Sequence, residues 1–419
     1  MKKSMLIVAC IVLVASMIPA TLFAQGQQAA YANPTVFKYG FLSSLSGTFA
    51  AISETQRKAF LLAVEEQNAK GGLNMPWGKV PIETIVRDDE AKLDVGVRRF
   101  RELRDQKIDA LTGGIWNPMS SALNEESKIN PIIYIPGYVP AIEIFQSEEY
   151  AECTFTPTYT PWTIGYILGK SIVEELGGKK VYLLERTDSW GSTIREGLEV
   201  ALKKYGGEIV GIGLTPAGTT DYSSIIADAM RRNPDVFATT MFAGDAIANL
   251  KQAYDLGMYD KMDVVSIWSA NPVYLGIPDA ALANLYTLAW FYWNLEGFSD
   301  TEVAASVKAY SDAYEKRWNE PPDNMGSGTY VASQIIFEAV ERAGTFDPKK
   351  VAAEIEKGEF KTILGTYKYR VDHQPILKHA AFLLKGKSAA VKTSKYDFFD
   401  VVQSFGGEEV LPPLSMMGF

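Results

Sequence analysis

The chain has 419 residues, of which 47% are hydrophobic and 12% aromatic, enough apolar material for large cores and a length typical of about two domains. Its formal net charge is −9, and no cluster of five or more basic residues occurs along it. Because an acidic surface repels phosphate backbones and anionic lipid headgroups, neither nucleic acid nor a membrane surface is an expected partner.

The start of the chain follows the three-part pattern of a secretory signal peptide. Two lysines precede an uncharged apolar run, residues 5–19, and small residues near Ala24 or Ala32 offer cleavage points. The run is shorter than the about 20 apolar residues of a transmembrane helix. We expect residues 1–24 to be removed, with cleavage as late as residue 32 as the alternative, and the protein to work in the periplasm or on the outer cell surface. An uncleaved membrane anchor is the competing interpretation.

Strands and helices alternate after a polar linker. Phe37, Tyr39 and Phe41 recur with period two and share one face of the first strand. Gly71 and Gly72 end the first helix, since glycine adopts the left-handed cap conformation at low cost. The predicted strands are 36–42, 80–87, 108–111 and 132–135, and the predicted helices are 53–69, 93–106 and 120–128.

A second series of elements begins near Thr160. The apolar run from Val181 to Leu184 is typical of a parallel strand covered on both faces. Two such series predict two α/β lobes, each with a mostly parallel sheet flanked by helices. The predicted helices are 162–176, 191–205, 223–232, 245–256, 302–318, 328–343 and 348–357, the strands are 180–184, 208–214, 236–240 and 264–267, residues 280–285 continue the alternation, and the tail from 367 is rich in strands and loops.

Groups for covalent or metal chemistry are scarce. The two histidines, His373 and His379, are six residues apart and fit surface or strand positions better than a helical metal-ligand pair. Cys10 lies in the apolar leader, which leaves Cys153 as a single thiol, more typical of a small buried hydrophobe than of a reactive group. The acidic triplet Asp88-Asp89-Glu90 could serve as a base or a cation site, but a solvated strand end is the commoner role. No nucleophile elbow, phosphate loop or complete dinucleotide fingerprint is present.

Aromatic residues recur in the loops that follow predicted strands: Trp116, Tyr138, Trp190, Phe242 and Trp268. Ligands of open α/β sheets bind at the carboxyl ends of the strands, so these five residues can line one apolar pocket. Packing beneath loops explains any one of them equally well, whereas their recurrence favours a site. Polar residues that can anchor a ligand stand nearby, namely Ser43, Ser46, Asn117, Tyr159 and Ser269.

Several segments resemble the branched-chain amino acid binding proteins of ABC importers, which have the type I periplasmic binding protein fold. The resemblance covers about residues 36–390 and depends on the order and spacing of motifs that are individually weak. These motifs are Tyr39–Gly47, Asn68–Leu73, Asp88-Asp89, Gly113–Asn117, Ile135–Gly137, Asp188–Gly191 and Thr219–Ser223.

This resemblance implies two lobes joined by three hinge crossovers. The first lobe would comprise residues 36–158 and 291–366, and the second residues 159–290 and 367–419. In the family, the loops that carry Asn117 and Gly137-Tyr138 hold the ligand carboxylate, and an aromatic residue at the position of Trp190 packs on the ligand.

The chain departs from the family pattern at two places. Amino acid binders have a hydroxyl residue after the second loop, where this chain has Val139 or Pro140. They also have an acidic residue near the position of Trp268 to bind the ammonium group, and none occurs in residues 267–271; Asp245 is a substitute or a helix cap. Since an unpaired ammonium ion in a closed cleft is costly, an aromatic or aliphatic carboxylate or an amide becomes a plausible ligand.

The sequence therefore predicts a monomeric solute-binding protein that delivers an amino acid or an aromatic or aliphatic carboxylate to an ABC importer permease, without catalysis, cofactor or metal. A ligand-sensing receptor domain of the same fold and a secreted hydrolase with Asp88 or Glu90 as base are the alternatives. The expected ligand-binding residues are Ser46, Trp116, Asn117, Gly137, Tyr138, Tyr159, Trp190, Phe242, Trp268 and Ser269.

Overall fold

A computed structural model describes residues 33–267 and 270–419. The predicted signal peptide and its alternative end at Ala32 lie outside these residues. Within the described part, no helix combines the length and the apolar character needed to cross a bilayer.

A four-stranded parallel sheet forms the centre of the first lobe. The first part of the chain folds, in order, into β1 (Phe37–Ser43), α1 (Ala50–Ala69), β2 (Leu73–Met75), β3 (Gly78–Val80), β4 (Ile82–Asp88), α2 (Leu93–Asp105), β5 (Ala110–Gly113), α3 (Asn117–Ile129) and β6 (Ile133–Pro136). The strand order is β4-β1-β5-β6. The period-two face of β1 is confirmed, because the rings of Tyr39 and Phe41 pack on Phe60 of α1 with centroids 4.9 and 5.1 Å apart. The hairpin of β2 and β3 has no counterpart among the predicted elements.

A larger sheet forms the second lobe. The chain continues through α4 (Pro161–Glu174), β7 (Lys180–Arg186), α5 (Ser189–Tyr205), β8 (Glu208–Thr215), α6 (Ser223–Arg232), β9 (Val236–Thr239), α7 (Gly244–Asp255), β10 (Asp263–Ile267), α8 (Asn271–Leu275), α9 (Asp279–Leu282) and β11 (Leu285–Ala289). Strands β8, β7, β9, β10 and β11 are parallel and adjacent in that order. The apolar run in β7 is buried between two neighbouring strands, as its composition predicts. Of residues 280–285, the first three belong to the short helix α9, and Leu285 begins β11.

The last part of the chain returns to the first lobe and then to the second. It forms α10 (Thr301–Trp318), α11 (Asn324–Ala343), α12 (Pro348–Lys357), β12 (Glu359–Thr362), β13 (Gly365–Tyr369), β14 (Pro375–Ile376), β15 (Ala381–Gly386) and β16 (Phe399–Phe405). Helix α11 packs along α1, whereas β15 and β16 extend the second sheet from β11 in antiparallel register. The chain thus crosses between the lobes after β6, β11 and β14, and the predicted α/β fold with three crossovers is confirmed. The predicted boundary at residue 366 falls inside β13, so the third crossing comes later.

Both histidines lie near this third crossing, and neither is on the surface. His373 is fully buried, stacks on Phe155 with ring centroids 3.8 Å apart and has Nδ1 2.7 Å from the carbonyl oxygen of Thr154. His379 has Nε2 2.9 Å from Oδ2 of Asp300. The expectation of surface or strand positions is therefore wrong, because both histidines lie in turns where their rings are packed and hydrogen-bonded.

Candidate ligand-binding site

A cavity lies between the two lobes, at the carboxyl ends of their parallel strands. The empty space in it, counted with its opening to solvent, is about 430 Å³. Loops that follow β5 and β6 form one side, and residues at the ends of β7 and β9 form the other. The lining residues are Phe49, Ile115, Trp116, Asn117, Tyr138, Val139, Arg186, Trp190, Phe242, Trp290 and Met325.

Two aromatic residues form the wall in the first lobe. The hydroxyl of Tyr138 donates to the backbone carbonyl of Trp116 at 2.6 Å, so the two loops that carry these residues are linked. Burial raises the pKa of Tyr138 well above its ordinary value, which keeps this hydroxyl protonated as a donor. The indole N–H of Trp116 is buried and has no hydrogen-bond partner among the described residues.

A buried glutamine beneath this wall fixes the two loops. Nε2 of Gln56 donates to the carbonyl oxygens of Gly114 at 2.9 Å and Gly137 at 3.1 Å. Its Oε1 accepts from the hydroxyl of Ser43 at 2.9 Å. Because one side-chain amide bonds to both loops, the positions of Trp116 and Tyr138 depend on a residue of α1 that does not itself line the cavity.

The wall in the second lobe is also fixed by a hydrogen bond. Nε1 of Trp190 donates to the carbonyl oxygen of Thr240 at 2.9 Å, which connects the start of α5 to the loop after β9. Phe242 belongs to that same loop, and its ring lies 6.3 Å from the ring of Phe49 in the first lobe. Aromatic residues from both lobes therefore flank the cavity, and their large flat apolar surfaces suit an apolar ligand body.

One charged residue, Arg186, lines the cavity among the residues that the structure describes. It is the last residue of β7, and its Nε donates to Oδ2 of Asp188 at 2.7 Å. Arg186 is one of the site residues that sequence reasoning misses. Its place at the carboxyl end of a parallel strand is the signal that could have indicated it.

Comparison with known proteins agrees with this geometry. The family model described as "Periplasmic binding protein" matches residues 37–390. The chain belongs to the periplasmic binding protein family. Leu/Ile/Val-binding protein homolog 7 of Brucella abortus is 24% identical over an alignment of 352 residues, and this alignment covers 80% of this chain and 85% of that relative.

Solved structures share the fold of this periplasmic binding protein. An amino acid ABC transporter substrate-binding protein from Pseudomonas fluorescens superposes with a TM-score of 0.81 at 22% identity, covering 92% of this chain and 99% of that chain. A solute-binding protein of an ABC transporter from R. palustris, solved in complex with benzoate, has a TM-score of 0.76 at 18% identity and covers 90% and 99% of the two chains. The resemblance drawn from the sequence motifs is thus confirmed at the level of family and fold.

Five of the ten expected ligand-binding residues of this periplasmic binding protein line the cavity between the lobes: Trp116, Asn117, Tyr138, Trp190 and Phe242. Trp268 and Ser269 lie outside the described residues. Their place in the site stays a prediction.

Three expected ligand-binding residues lie elsewhere. Ser46 is exposed, and its backbone N–H donates to Oδ1 of Asp88 at 3.2 Å. The N–H of Gly137 donates to the carbonyl of Gly113 at 3.1 Å, so it is not available for a ligand carboxylate. Tyr159 is fully buried and does not line the cavity. Gly137 links two loops by its backbone and Tyr159 packs in the core, whereas the exposed Ser46 contributes a backbone hydrogen bond to its loop.

The acidic triplet stabilises a loop and is not a solvated strand end. Asp89 is fully buried and accepts from the hydroxyl of Ser44 at 2.5 Å. Asp88 accepts backbone N–H bonds, including 2.9 Å from Leu45 and 2.8 Å from Glu90. Partial burial raises the pKa of Asp88, but these bonds and those from Ser46 outweigh burial and hold this pKa below its ordinary value. Across the described ranges, no group of three or more His, Cys, Asp or Glu residues is arranged to hold a metal ion.

Asp245 is a helix-start residue and does not line the cavity. It lies in the first turn of α7, and its Oδ2 accepts from the N–H of Gly218 at 2.9 Å. The position after the second loop, Val139, does line the cavity and supplies an aliphatic side chain where the family pattern has a hydroxyl. The single described thiol, Cys153, is buried, and burial raises its pKa to about 12, so it has the character of a small hydrophobe.

Proposed function

We propose that this protein is the extracytoplasmic solute-binding component of an ABC importer. It captures a small organic ligand between its two lobes and delivers it to a membrane permease, and it acts as a monomer without covalent chemistry. The observation that carries this proposal is the interlobe cavity, whose aromatic walls come from both lobes. Export by the amino-terminal signal peptide is part of the same proposal.

The ligand class follows from the lining. Six aromatic and three aliphatic side chains line the cavity, and one guanidinium and one side-chain amide supply the charged and amide groups, so the lining suits an organic ligand with an apolar body and few polar groups. Amino acids and aromatic or aliphatic carboxylates are the candidate classes. The relatives named above for leucine, isoleucine and valine, and the neighbour solved with benzoate, support this range.

Closure of the lobes couples capture to delivery. A ligand that contacts Trp116 on one lobe and Trp190 on the other makes its full set of contacts only when the lobes are closed, so it shifts the population towards the closed state. The permease would then distinguish closed, loaded protein from open, empty protein.

A thermal-shift screen tests the proposal. The purified mature protein is heated with single amino acids, aromatic acids, short-chain acids and amides, and a ligand at about 100 times its Kd adds about 2.7 kcal/mol to the free energy of unfolding. Trp116→Ala and Trp190→Ala should each weaken binding of the compound found, measured by titration calorimetry. If both variants bind it as the wild type does, the cavity is not the site.

Trp77→Ala is the matched control. Trp77 is half-buried in the first lobe and packs on Phe346 with ring centroids 5.7 Å apart, outside the cavity. Loss of its ring should lower stability without changing affinity. Turnover of the bound compound by the purified protein would contradict the absence of catalysis.

A further inference from the structure

The cavity contains a guanidinium that is only partly used by the protein. Nε of Arg186 donates to Asp188, but its Nη1 and Nη2 have no hydrogen-bond or ion-pair partner among residues 33–267 and 270–419. The side chain is 15% exposed. A guanidinium in this position has lost most of its hydrating water. A hydrogen bond to an anion that has also left water is therefore favourable.

Asp188 holds the guanidinium in place, and Thr240 holds the backbone of Arg186. Asp188 caps α5 by accepting from the N–H of Gly191 at 3.2 Å with Oδ1, and its other oxygen binds Nε of Arg186. The backbone N–H of Arg186 donates to Oγ1 of Thr240 at 2.9 Å. Glycine is required at position 191, because a Cβ there would overlap the carbonyl oxygen of Arg186. The forked guanidinium group of Arg186 is thus oriented before any ligand binds, which lowers the entropic cost of binding.

The remaining polar groups of the cavity favour an acceptor-rich ligand. The indole N–H of Trp116 is a second donor without a partner in the described part of the chain, and it comes from the opposite lobe. Asn117 presents a neutral amide, and no acidic residue is among the described lining residues. An ammonium group would therefore meet a cation of like charge, and the Asp188 carboxylate beside that cation is already paired with it.

We propose that Arg186 binds the carboxylate of the ligand through its Nη groups and thereby selects carboxylates that lack an ammonium group over α-amino acids. This inference rests on the proposed function, since it takes the cavity as the ligand site. A carboxylate can accept both Nη donors at once, whereas a neutral amide of the same shape cannot form that paired contact. The apolar part of the ligand then lies against Trp116, Trp190 and Phe242.

Matched sets of probe compounds show which charged group of a ligand contributes to binding. The first set is L-leucine, 4-methylpentanoate and 4-methylpentanamide, and the second is L-phenylalanine, 3-phenylpropanoate and 3-phenylpropanamide; each set shares one apolar body. Titration calorimetry on the purified mature protein should give an acid that binds about thirty-fold more tightly than both its amide and its amino acid, since a charge-assisted pair is worth that factor. Tighter binding of the amino acid than of the acid, or binding of neither acid at millimolar concentration, overturns the inference.

Variants assign the preference to this residue. Arg186→Gln should reduce the acid-to-amide ratio to about one, and Arg186→Lys should keep part of it, since lysine preserves the charge but not the fork. Arg195→Gln is the control. It also removes one positive charge, but from α5 and outside the cavity, where Arg195 pairs with Glu185 at 2.8 Å. A wild-type ratio in Arg186→Gln refutes the role of Arg186 and leaves the proposed function standing, whereas unchanged affinity in Trp116→Ala and Trp190→Ala counts against the cavity itself.

Discussion

Phe49 and Phe242 are in contact across the cavity, with ring centroids 6.3 Å apart and an angle of 40° between the ring planes. Phe49 ends a short 3-10 turn (Gly47–Phe49) in front of α1, whereas Phe242 follows β9. Because the two rings belong to different lobes, this contact breaks when the lobes separate. It therefore contributes to the closed state and not to the stability of either lobe alone.

Truncation of Phe49 should weaken ligand binding. Phe49→Ala removes an aromatic pair worth about 1 kcal/mol and part of the apolar wall, so we expect affinity to fall about tenfold with little change in the melting temperature of the empty protein. Titration calorimetry with the compound found by the thermal-shift screen measures this. Leu214→Ala, which shortens an exposed side chain on β8, is the control and should bind normally. Equal affinities for Phe49→Ala and wild type would show that the ring pair does not stabilise closure.

Gln56 should matter for both folding and binding, although it does not line the cavity. Gln56→Met keeps the length of the side chain but leaves the carbonyls of Gly114 and Gly137 without their donor, which costs about 1–3 kcal/mol of unfolding free energy. Urea denaturation measures the stability loss, and calorimetry should show weaker binding because the loops of Trp116 and Tyr138 lose their common anchor. Gln403→Met, at an exposed position of β16, should change neither quantity. Normal affinity in a destabilised Gln56→Met would limit this residue to folding.

Strand ends explain which parts of the site the sequence could predict. Trp116, Tyr138, Trp190 and Phe242 each follow a buried strand within a few residues, and the carboxyl ends of parallel strands meet at one edge. This reasoning needs only the order of the elements. It therefore succeeds without any knowledge of side-chain directions.

Residues whose role depends on tertiary contacts could not be found in this way. The predicted strand 180–184 stops short of Arg186, since two charged residues end the apolar run, but Glu185 is stabilised in the fold by an ion pair with Arg195. Trp290 follows β11, whose start at Leu285 is displaced from the predicted element. Ser46 has the expected residue type for ligand binding, yet its loop faces solvent because Asp88 binds the backbone there.

The contact between α4 and α5 allows no side chain at Gly197. A Cβ at this position would overlap the carbonyl oxygen of Trp162, and the chain cannot relieve this clash by rotating a side chain. Gly197→Ala should therefore destabilise the protein by about 1–3 kcal/mol in urea denaturation. Gly244→Ala is the matched control, because its Cβ would meet open space at the start of α7, and it should be neutral or slightly stabilising. Equal stabilities of the two variants would mean that the helices separate at little cost.

Asp109, which directly precedes β5, should make the stability of the protein depend on pH. Burial raises the pKa of this carboxyl to about 6, despite the hydrogen bond that its Oδ2 accepts from the backbone N–H of Lys38 at 2.7 Å. In the unfolded chain the pKa is about 3.9. Since the folded state binds the proton more tightly, the contribution of Asp109 to stability is fully present below about pH 4 and is lost as the pH rises through about 6.

Replacement of this carboxyl by a neutral amide isolates the effect. Asp109→Asn keeps an oxygen acceptor for Lys38 and cannot ionise, so near about pH 7.5 it should exceed the wild type in unfolding free energy by at most about 3 kcal/mol. The advantage should shrink as the pH falls from about 6 to about 4, which urea denaturation across this range measures. Asp105→Asn, at the exposed end of α2, is the control and should differ from wild type by the same small amount throughout. A difference between Asp109→Asn and wild type that stays constant with pH would mean that the Asp109 carboxylate is solvated in the folded protein.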